Sequence, residues 1–134
     1  MRKKLTIVFI SILGIAALVA FYIFGLYQGY WRINYPSRQV YTQQGIDVSH
    51  HNGEINWELI DTNLWKFAFI KATEGDDFKD PKFIINYKQA KKNGIQVGAY
   101  HFFSFCTDAQ SQAANFIESV PVDTQNMPPV IDLE

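Results

Sequence analysis

Two acidic residues, Asp132 and Glu134, carry the strongest indication of chemistry in this chain of 134 residues. They stand two positions apart in the segment PVIDLE at 129–134, whose apolar residues predict a strand. Because successive side chains of a strand point to opposite faces, both carboxyl groups should share one face, with Ile131 and Leu133 on the other face under helices. Two carboxyl groups that share a site repel each other when both are ionised, so one tends to keep its proton. A proton donor beside a negative group is what cleavage of a glycosidic bond requires.

Other polar residues follow the ends of three further apolar runs. The runs at 45–49, 67–73 and 96–102 are predicted, like 129–134, to be buried strands separated by helices. This alternation indicates parallel βα units, and in a parallel βα barrel the side chains at the carboxyl ends of the strands meet at one rim. The polar residues in these positions are Asp47, Thr73, Glu74, Tyr100, His101, Asp132 and Glu134.

Three helices are predicted between these strands. One should begin with Asp80 as its cap and Pro81 in its first turn. Another should begin at Thr107, which could form a capping box with the glutamine three residues later. A shorter helix is expected over residues 57–64.

The histidines do not indicate a metal site. His50 and His51 are adjacent, and neighbours on an extended chain face opposite ways, so a role in a loop or at a ligand rim is favoured. For His101, a core histidine with satisfied hydrogen bonds, or one that supports the site from behind, is favoured over a catalytic base. Glu74 is either an acidic residue at the rim or the cap of the turn before Gly75. We expect His101 and Glu74 at substrate-binding positions.

The N-terminal segment predicts a membrane anchor. Residues 5–27 contain no charged side chain, and this length is close to the roughly 20 residues that span a bilayer. A cleaved signal peptide is the main alternative, although its apolar region is typically about 7 to 15 residues long. By the positive-inside rule the basic tip, residues 1–4, should stay in the cytoplasm. The expected protein is anchored in the cell membrane by a single transmembrane helix, with the rest on the outer, periplasmic or extracellular, side.

Composition narrows the possible partners. The formal net charge is −1, so the chain has no basic field that would hold nucleic acid. The single cysteine, Cys106, excludes an internal disulfide and a multi-cysteine metal site. Residues 28–43 are polar and aromatic without a clear period, which suits a tether. Residues 44–134 then form one α/β domain.

Five fragments carry a family resemblance. They occur in the order GIDVS at 45–49, NW at 56–57, FIKATEG at 69–75, GAYHF at 98–102 and DLE at 132–134. Together they resemble glycoside hydrolase family 25, the Chalaropsis-type lysozymes. The resemblance implies a βα (TIM-like) barrel that cleaves the β-1,4 bond between N-acetylmuramic acid and N-acetylglucosamine of peptidoglycan with retention. It implies no metal or organic cofactor.

The resemblance also implies roles for individual residues. Glu134 matches the family's general acid, Asp132 its partner carboxylate, Asp47 an acidic residue on the first strand and Tyr100 an active-site tyrosine. The motif leaves open whether Asp132 attacks the sugar or orients the substrate's own 2-acetamido group as the nucleophile. We favour substrate assistance, because an aspartate beside the acid can hold the acetamido nitrogen and stabilise the developing positive charge.

The leading hypothesis is a retaining muramidase that is complete only with the C-terminal part of the domain, and two alternatives to it remain. The family's domain usually continues past the Asp-x-Glu strand, so residues 44–134 are expected to be the N-terminal part of a catalytic barrel that is truncated at its C-terminus. One alternative is therefore a noncatalytic cell-wall-binding or degenerate lysozyme-like module. The other is a chitinase-like family 18 barrel, whose pattern Asp-x-x-Asp-x-Asp-x-Glu is not met because Met127 and Val130 occupy its upstream acidic positions.

Overall fold

A computed structural model describes residues 2–28, 30 and 36–133. Glu134, the predicted general acid, therefore lies outside the described residues. The chain divides into two compact units, Met1–Val40 and Tyr41–Glu134. Each unit is described by itself.

The first unit contains one long helix, α1, Arg2–Tyr27. Its 26 residues would extend about 39 Å at 1.5 Å per residue, which exceeds the roughly 30 Å of a bilayer's hydrocarbon core. Its most apolar stretch has a mean hydropathy of 2.8, and its side chains are exposed. By length and composition α1 is a candidate membrane span, and a signal sequence near the N-terminus would meet the same criteria.

The second unit is built on a mainly parallel sheet. Its strands are β1 Gln44–Val48, β2 Trp65–Glu74, β3 Phe78–Lys79, β4 Gln96–Phe102 and β5 Val130–Asp132. The order across the sheet is β1-β2-β4-β5 with parallel pairing throughout, while the short β3 pairs antiparallel with β2. The helices are α2 Phe83–Lys92 and α3 Ala109–Ser119. These elements confirm the predicted mixed α/β class with a parallel sheet.

The helix starts differ from those predicted. Asp80 lies in a turn ahead of α2, where its carboxylate accepts the Lys82 N–H at 2.9 Å. The cap of α3 is Asp108 and not Thr107, because the Asp108 carboxylate accepts two N–H groups of the first turn at 3.0 Å each. The helix expected over residues 57–64 is only a 3-10 turn, Trp57–Leu59.

One face of the sheet packs on the helices. Alternate residues of β2 and β4 point to this side because side chains alternate along a strand. They form the core with apolar residues of β1, of the 3-10 turn and of α2 and its flanks: Val48, Trp57, Ala68, Ile70, Ala72, Phe83, Tyr87, Ala90, Ile95, Val97 and Ala99. The burial of these side chains is the main stabilising contribution to this unit.

Aromatic rings and glycines share the other face. A Cβ atom added at Gly98 would lie 2.5 Å from the Phe69 ring, and one added at Gly45 would lie 2.0 Å from the Phe67 ring. Neither contact is sterically possible. The two rings therefore lie across neighbouring strands at positions that only glycine leaves open.

The edge of the sheet at β5 carries apolar side chains that were predicted to be covered by helices. Ile131 and Leu133 are each 64% exposed. The prediction that helices cover these two side chains is wrong for the described residues, because no described element packs over them. The end of the sheet at β5 is an apolar surface.

Candidate active site

A cavity of about 310 Å³ opens at the carboxyl ends of the parallel strands. Its lining residues come from β1, β2, β4 and β5: Asp47, Phe69, Tyr100, Val130, Ile131 and Asp132. Because β1 and β5 are the two outer strands of the row, their side chains meet in one cavity only if the sheet curls. The curl brings together the first-strand acid, the tyrosine and the last-strand acid that the sequence singles out.

Tyr100 stands between the two carboxylates. Burial, followed by the negative charges of Asp47, Asp132 and Asp80, raises the pKa of its phenol to about 12, against a smaller opposing hydrogen bond from Ser49. Loss of its proton would add a negative charge beside those of the three aspartates, which costs free energy. Tyr100 is therefore a neutral hydrogen-bond donor at any physiological pH.

Asp80 is a buried acid next to this site whose position the sequence does not reveal. Its side chain is only 1% exposed. Its Oδ2 accepts the backbone N–H of His50 at 2.9 Å and lies 2.8 Å from the His50 ring Nδ1. Asp80 thereby holds the turn that follows β1, and its charge also acts on Tyr100.

Glu74 lies at the rim in an ion pair. The Nζ of Lys71 donates to Glu74 Oε2 at 2.5 Å, and the Lys71 side chain is buried whereas that of Glu74 is partly exposed. Among the described residues no backbone N–H donates to the Glu74 carboxylate, so this side chain does not cap the turn before Gly75. It presents a carboxylate at the same end of the sheet as the cavity.

His101 does not join the cavity. It is 4% exposed and points to the helix side, where its ring lies edge-on to that of Phe116 in α3. The Gln112 amide donates to the Ser104 and Thr107 carbonyls, so its Oε1 is the atom that accepts from His101 Nε2 at 3.0 Å. Thr73 Oγ1 lies 2.8 Å from the other ring nitrogen. This is the core histidine with satisfied hydrogen bonds, and the geometry gives a direct sugar contact no support.

The cavity provides two acceptors and one donor over an aromatic floor. Asp47 and Asp132 accept hydrogen bonds when ionised, Tyr100 donates one, and Phe69 presents a ring. Such a set suits a ligand with hydroxyl or amide groups around an apolar ring. Among the described residues, no group of three His, Cys, Asp or Glu side chains could hold a metal ion.

Phe69 is a cavity residue that the sequence analysis missed. A usable signal exists, because Phe67 and Phe69 alternate along β2 and pair with Gly45 of β1 and Gly98 of β4. Alternation combined with a facing glycine identifies a ring that lies flat on the open side of the sheet. The buried position of Asp80 has no such local signal, since His50 lies thirty residues away.

Comparisons with known proteins agree with this geometry. Residues 46–134 match the sequence profile of Glycosyl hydrolases family 25. Lysozyme M1 of Streptomyces globisporus is 41% identical over 95 residues, which cover 68% of this chain and 32% of that protein. Uncharacterized protein YegX of Escherichia coli (strain K12) is 40% identical over 99 residues, which cover 70% of this chain and 36% of that protein. A solved family 25 glycosyl hydrolase from Bacillus anthracis is 51% identical with a TM-score of 0.61, covering 65% of this chain and 40% of that one.

The chain spans about a third of the length of the curated relatives it matches. The matched region includes all five fragments on which the sequence resemblance depends except the first residue of the first fragment. The resemblance is confirmed, and the chain belongs to glycosyl hydrolases family 25.

Proposed function

We propose that this chain carries the N-terminal part of a muramidase site, which hydrolyses the β-1,4 bond between N-acetylmuramic acid and N-acetylglucosamine in peptidoglycan with retention. The proposal rests on the observation that Asp47, Tyr100 and Asp132 line the same cavity at the carboxyl ends of parallel strands. Family membership and the lysozyme named among the relatives support the choice of substrate.

The proposed reaction divides the work between two carboxyl groups. Glu134 protonates the leaving glycosidic oxygen, and Asp132, two residues earlier in the sequence, acts as its partner carboxylate. The acetamido oxygen of the muramic sugar attacks the anomeric carbon as the glycosidic bond breaks. Asp132 accepts the acetamido N–H and stabilises the positive charge that develops. Water then opens the cyclic intermediate with Glu134 as the base, which gives net retention.

Tyr100 and Asp47 complete the site in this proposal. With a phenol pKa of about 12, Tyr100 keeps its proton and can donate a hydrogen bond to the acetamido group or to Asp132. Asp47 lies across the cavity and adds negative potential where the oxocarbenium-like transition state becomes positive.

We further propose that α1 is an uncleaved transmembrane anchor and that the catalytic unit belongs to a TIM-like barrel on the outer side of the cell membrane. The length and the apolar composition of α1 support the anchor, as do the basic residues at its start. An anchor of this kind would keep the site beside its polymeric substrate.

Reducing-end release from purified peptidoglycan tests the proposed activity. A protein in which this chain is joined to the C-terminal part of the family's domain, the completed domain, should produce new N-acetylmuramic acid reducing ends. In it, Glu134→Gln should lower the rate by about 10²-fold or more because it cannot donate the proton. Wild-type rates in a folded Glu134→Gln chain would end its assignment as the acid. Peptidoglycan binding without release of reducing ends would instead favour a noncatalytic wall-binding module.

A further inference from the structure

A buried amide outside the cavity joins α3 to the loop that follows β4. Gln112 is only 1% exposed. Its Oε1 accepts from the Ser104 N–H at 2.9 Å and from His101 Nε2 at 3.0 Å. Its Nε2 donates to the carbonyls of Ser104 at 2.7 Å and of Thr107 at 3.0 Å. Because a backbone N–H can only donate and a carbonyl can only accept, these contacts fix the orientation of the Gln112 amide.

The same contacts fix the proton of His101. Its Nε2 must carry a hydrogen, because the atom that it meets is the Gln112 oxygen. The other ring nitrogen, Nδ1, then accepts from the Thr73 hydroxyl, whose oxygen lies 2.8 Å away. A neutral ring with its proton on Nε2 therefore satisfies both partners in this buried place. The network runs from β2 through β4 to α3 and supports the loop from the helix side of the sheet.

The loop that Gln112 holds is bonded to Asp132. Phe103 immediately precedes Ser104, and its N–H donates to the Asp132 carbonyl at 2.9 Å. Strand β5 has only three residues, and Asp132 is the last of them. Its register places Asp132 beside Phe102 of β4, so the Phe103 N–H secures the end of the strand that presents the carboxylate. Because Gln112 binds both backbone groups of Ser104, it fixes the chain next to this N–H.

We propose that Gln112 is a positioning residue of the hydrolytic site, which acts through the Phe103 N–H to hold the Asp132 carboxylate where it can orient the acetamido group. Gln112 does not line the cavity and would not touch the substrate. The role of Asp132 in the reaction rests on the proposed function. The bond network that reaches Asp132 rests on the geometry of α3 and β4 alone.

Steady-state kinetics of the completed domain test this role. Gln112→Met nearly keeps the length of the side chain and cannot make the four hydrogen bonds. Its kcat should fall by about tenfold or more with little change in KM, because a small displacement of a reacting group is costly. A negative Asp132 also helps Glu134 to keep its proton. Once Asp132 moves, the loss of activity at alkaline pH should therefore begin at a lower pH. The other titratable groups of the cavity, Asp47 and Tyr100, belong to β1 and to the opposite face of β4.

Two controls separate positioning from loss of stability. Ile95→Ala opens the buried core just before β4, at the end of the strand away from the cavity, and should lower the melting temperature. A smaller folded fraction lowers the apparent rate, but it cannot move the alkaline limb of the pH profile. Gln110→Met, at an exposed glutamine of the same helix, should match the wild type. Wild-type kcat and pH profile in a folded Gln112→Met domain would overturn the proposal.

The last step of the network can be removed by itself. Phe103→Pro has no backbone N–H to donate to Asp132, whereas Phe103→Leu keeps it. Phe103→Pro should lower kcat and move the alkaline limb as Gln112→Met does, and Phe103→Leu should leave the limb in place. If Gln112 acts through this N–H, the double variant with Gln112→Met and Phe103→Pro should be no slower than the slower single variant. Additive losses would contradict that route.

Nuclear magnetic resonance of the completed domain gives a readout that needs no turnover. The ¹⁵N spectrum of the wild type should show the His101 proton on Nε2, and the Phe103 amide should exchange slowly with solvent. Gln112→Met should speed that exchange by about tenfold or more. A His101 proton on Nδ1 alone, or a Phe103 amide that exchanges freely in the wild type, would overturn the network even if no variant folds. Both signatures without release of reducing ends would keep the network and remove the hydrolysis.

Discussion

At Asp132 a carboxylate shares a cavity with Asp47 and with a phenol that keeps its proton. The substitution Asp132→Asn preserves the shape of the side chain and removes the charge that would stabilise a cationic transition state. Turnover on peptidoglycan should fall by about 10²-fold, the scale on which removal of one preorganised electrostatic group acts. Asp61→Asn is the control, since Asp61 is exposed in the turn before β2, at the opposite end of the strands. Equal rates in the Asp132 and Asp61 variants would contradict a catalytic role for Asp132.

The raised pKa of Tyr100 predicts how the stability of the fold changes at alkaline pH. Its pKa rises from 10.0 to about 12 because burial and the neighbouring carboxylates disfavour the phenolate. The folded chain therefore holds this proton more tightly than the unfolded chain. The resulting stability is fully present below pH 10 and is lost as the pH rises from 10 towards 12.

The measurement is the urea midpoint of unfolding of the completed domain between pH 8 and pH 11. The wild type should lose stability above pH 10 more steeply than Tyr100→Phe, which has no phenol to ionise. Tyr41→Phe, at an exposed tyrosine, should follow the wild type. If the urea midpoints of Tyr100→Phe and of the wild type changed with pH in parallel, the raised pKa of Tyr100 would be disproved.

At the level of elements, the packing of a ring of β2 over a glycine of β4 shapes the floor of the cavity. A methyl group at Gly98 would meet the Phe69 ring at 2.5 Å. Gly98→Ala should therefore destabilise the sheet unit by about 1–3 kcal/mol, the usual cost of overpacking. Phe69→Leu should recover part of this loss in the double variant, because it removes the clashing ring atoms. Thermal unfolding of the completed domain measures both effects, and Gly14→Ala, where nothing lies within 4 Å, is the control. Additive losses in the double variant would refute the contact.

The elements also explain which features the sequence could predict. The bounds of β4 were predicted as residues 96–102, as observed, because the turn at Asn93 and Gly94 that ends α2 comes just before it. The two-residue β3 was missed because it exists only through its pairing with Thr73 and Glu74 of β2. The start of α3 was misplaced by one residue because Thr107 and Asp108 are both good caps, and local pattern does not choose between them.

The site was predictable to the extent that strand ends converge. Asp47, Tyr100 and Asp132 meet because each stands near the carboxyl end of a parallel strand and faces the same side. His101 follows Tyr100 by one residue and therefore faces the helices, so proximity in sequence was misleading there. The hydrogen bonds between Asp80 and His50 join residues thirty positions apart, which a single sequence does not predict.

At the scale of the whole molecule, the apolar end of the sheet governs how the second unit behaves in solution. Ile131, Leu133 and Ile117 are exposed together with an unpaired strand edge at β5, at least among the described residues. Exposed apolar strand edges favour association. Residues 44–134 expressed alone should therefore aggregate or unfold without a sharp transition. Analytical ultracentrifugation and near-UV circular dichroism would reveal this, and replacing Ile131 and Leu133 with lysine should reduce the association. A monodisperse monomer with a cooperative transition would contradict it.

The topology of the full chain can be read from its single cysteine. Cys106 is exposed in the unit that follows the apolar helix, and it is the only thiol in the sequence. If α1 is an uncleaved anchor with its basic start in the cytoplasm, Cys106 lies on the outer side of the membrane. A membrane-impermeant maleimide should then label spheroplasts without permeabilisation, and the labelled species should still carry an epitope tag placed at Met1. Cys106→Ser should abolish the signal, and a cytoplasmic thiol protein should stay unlabelled. Labelling only after permeabilisation would reverse the orientation, whereas a labelled species without its tag would identify a cleaved signal peptide.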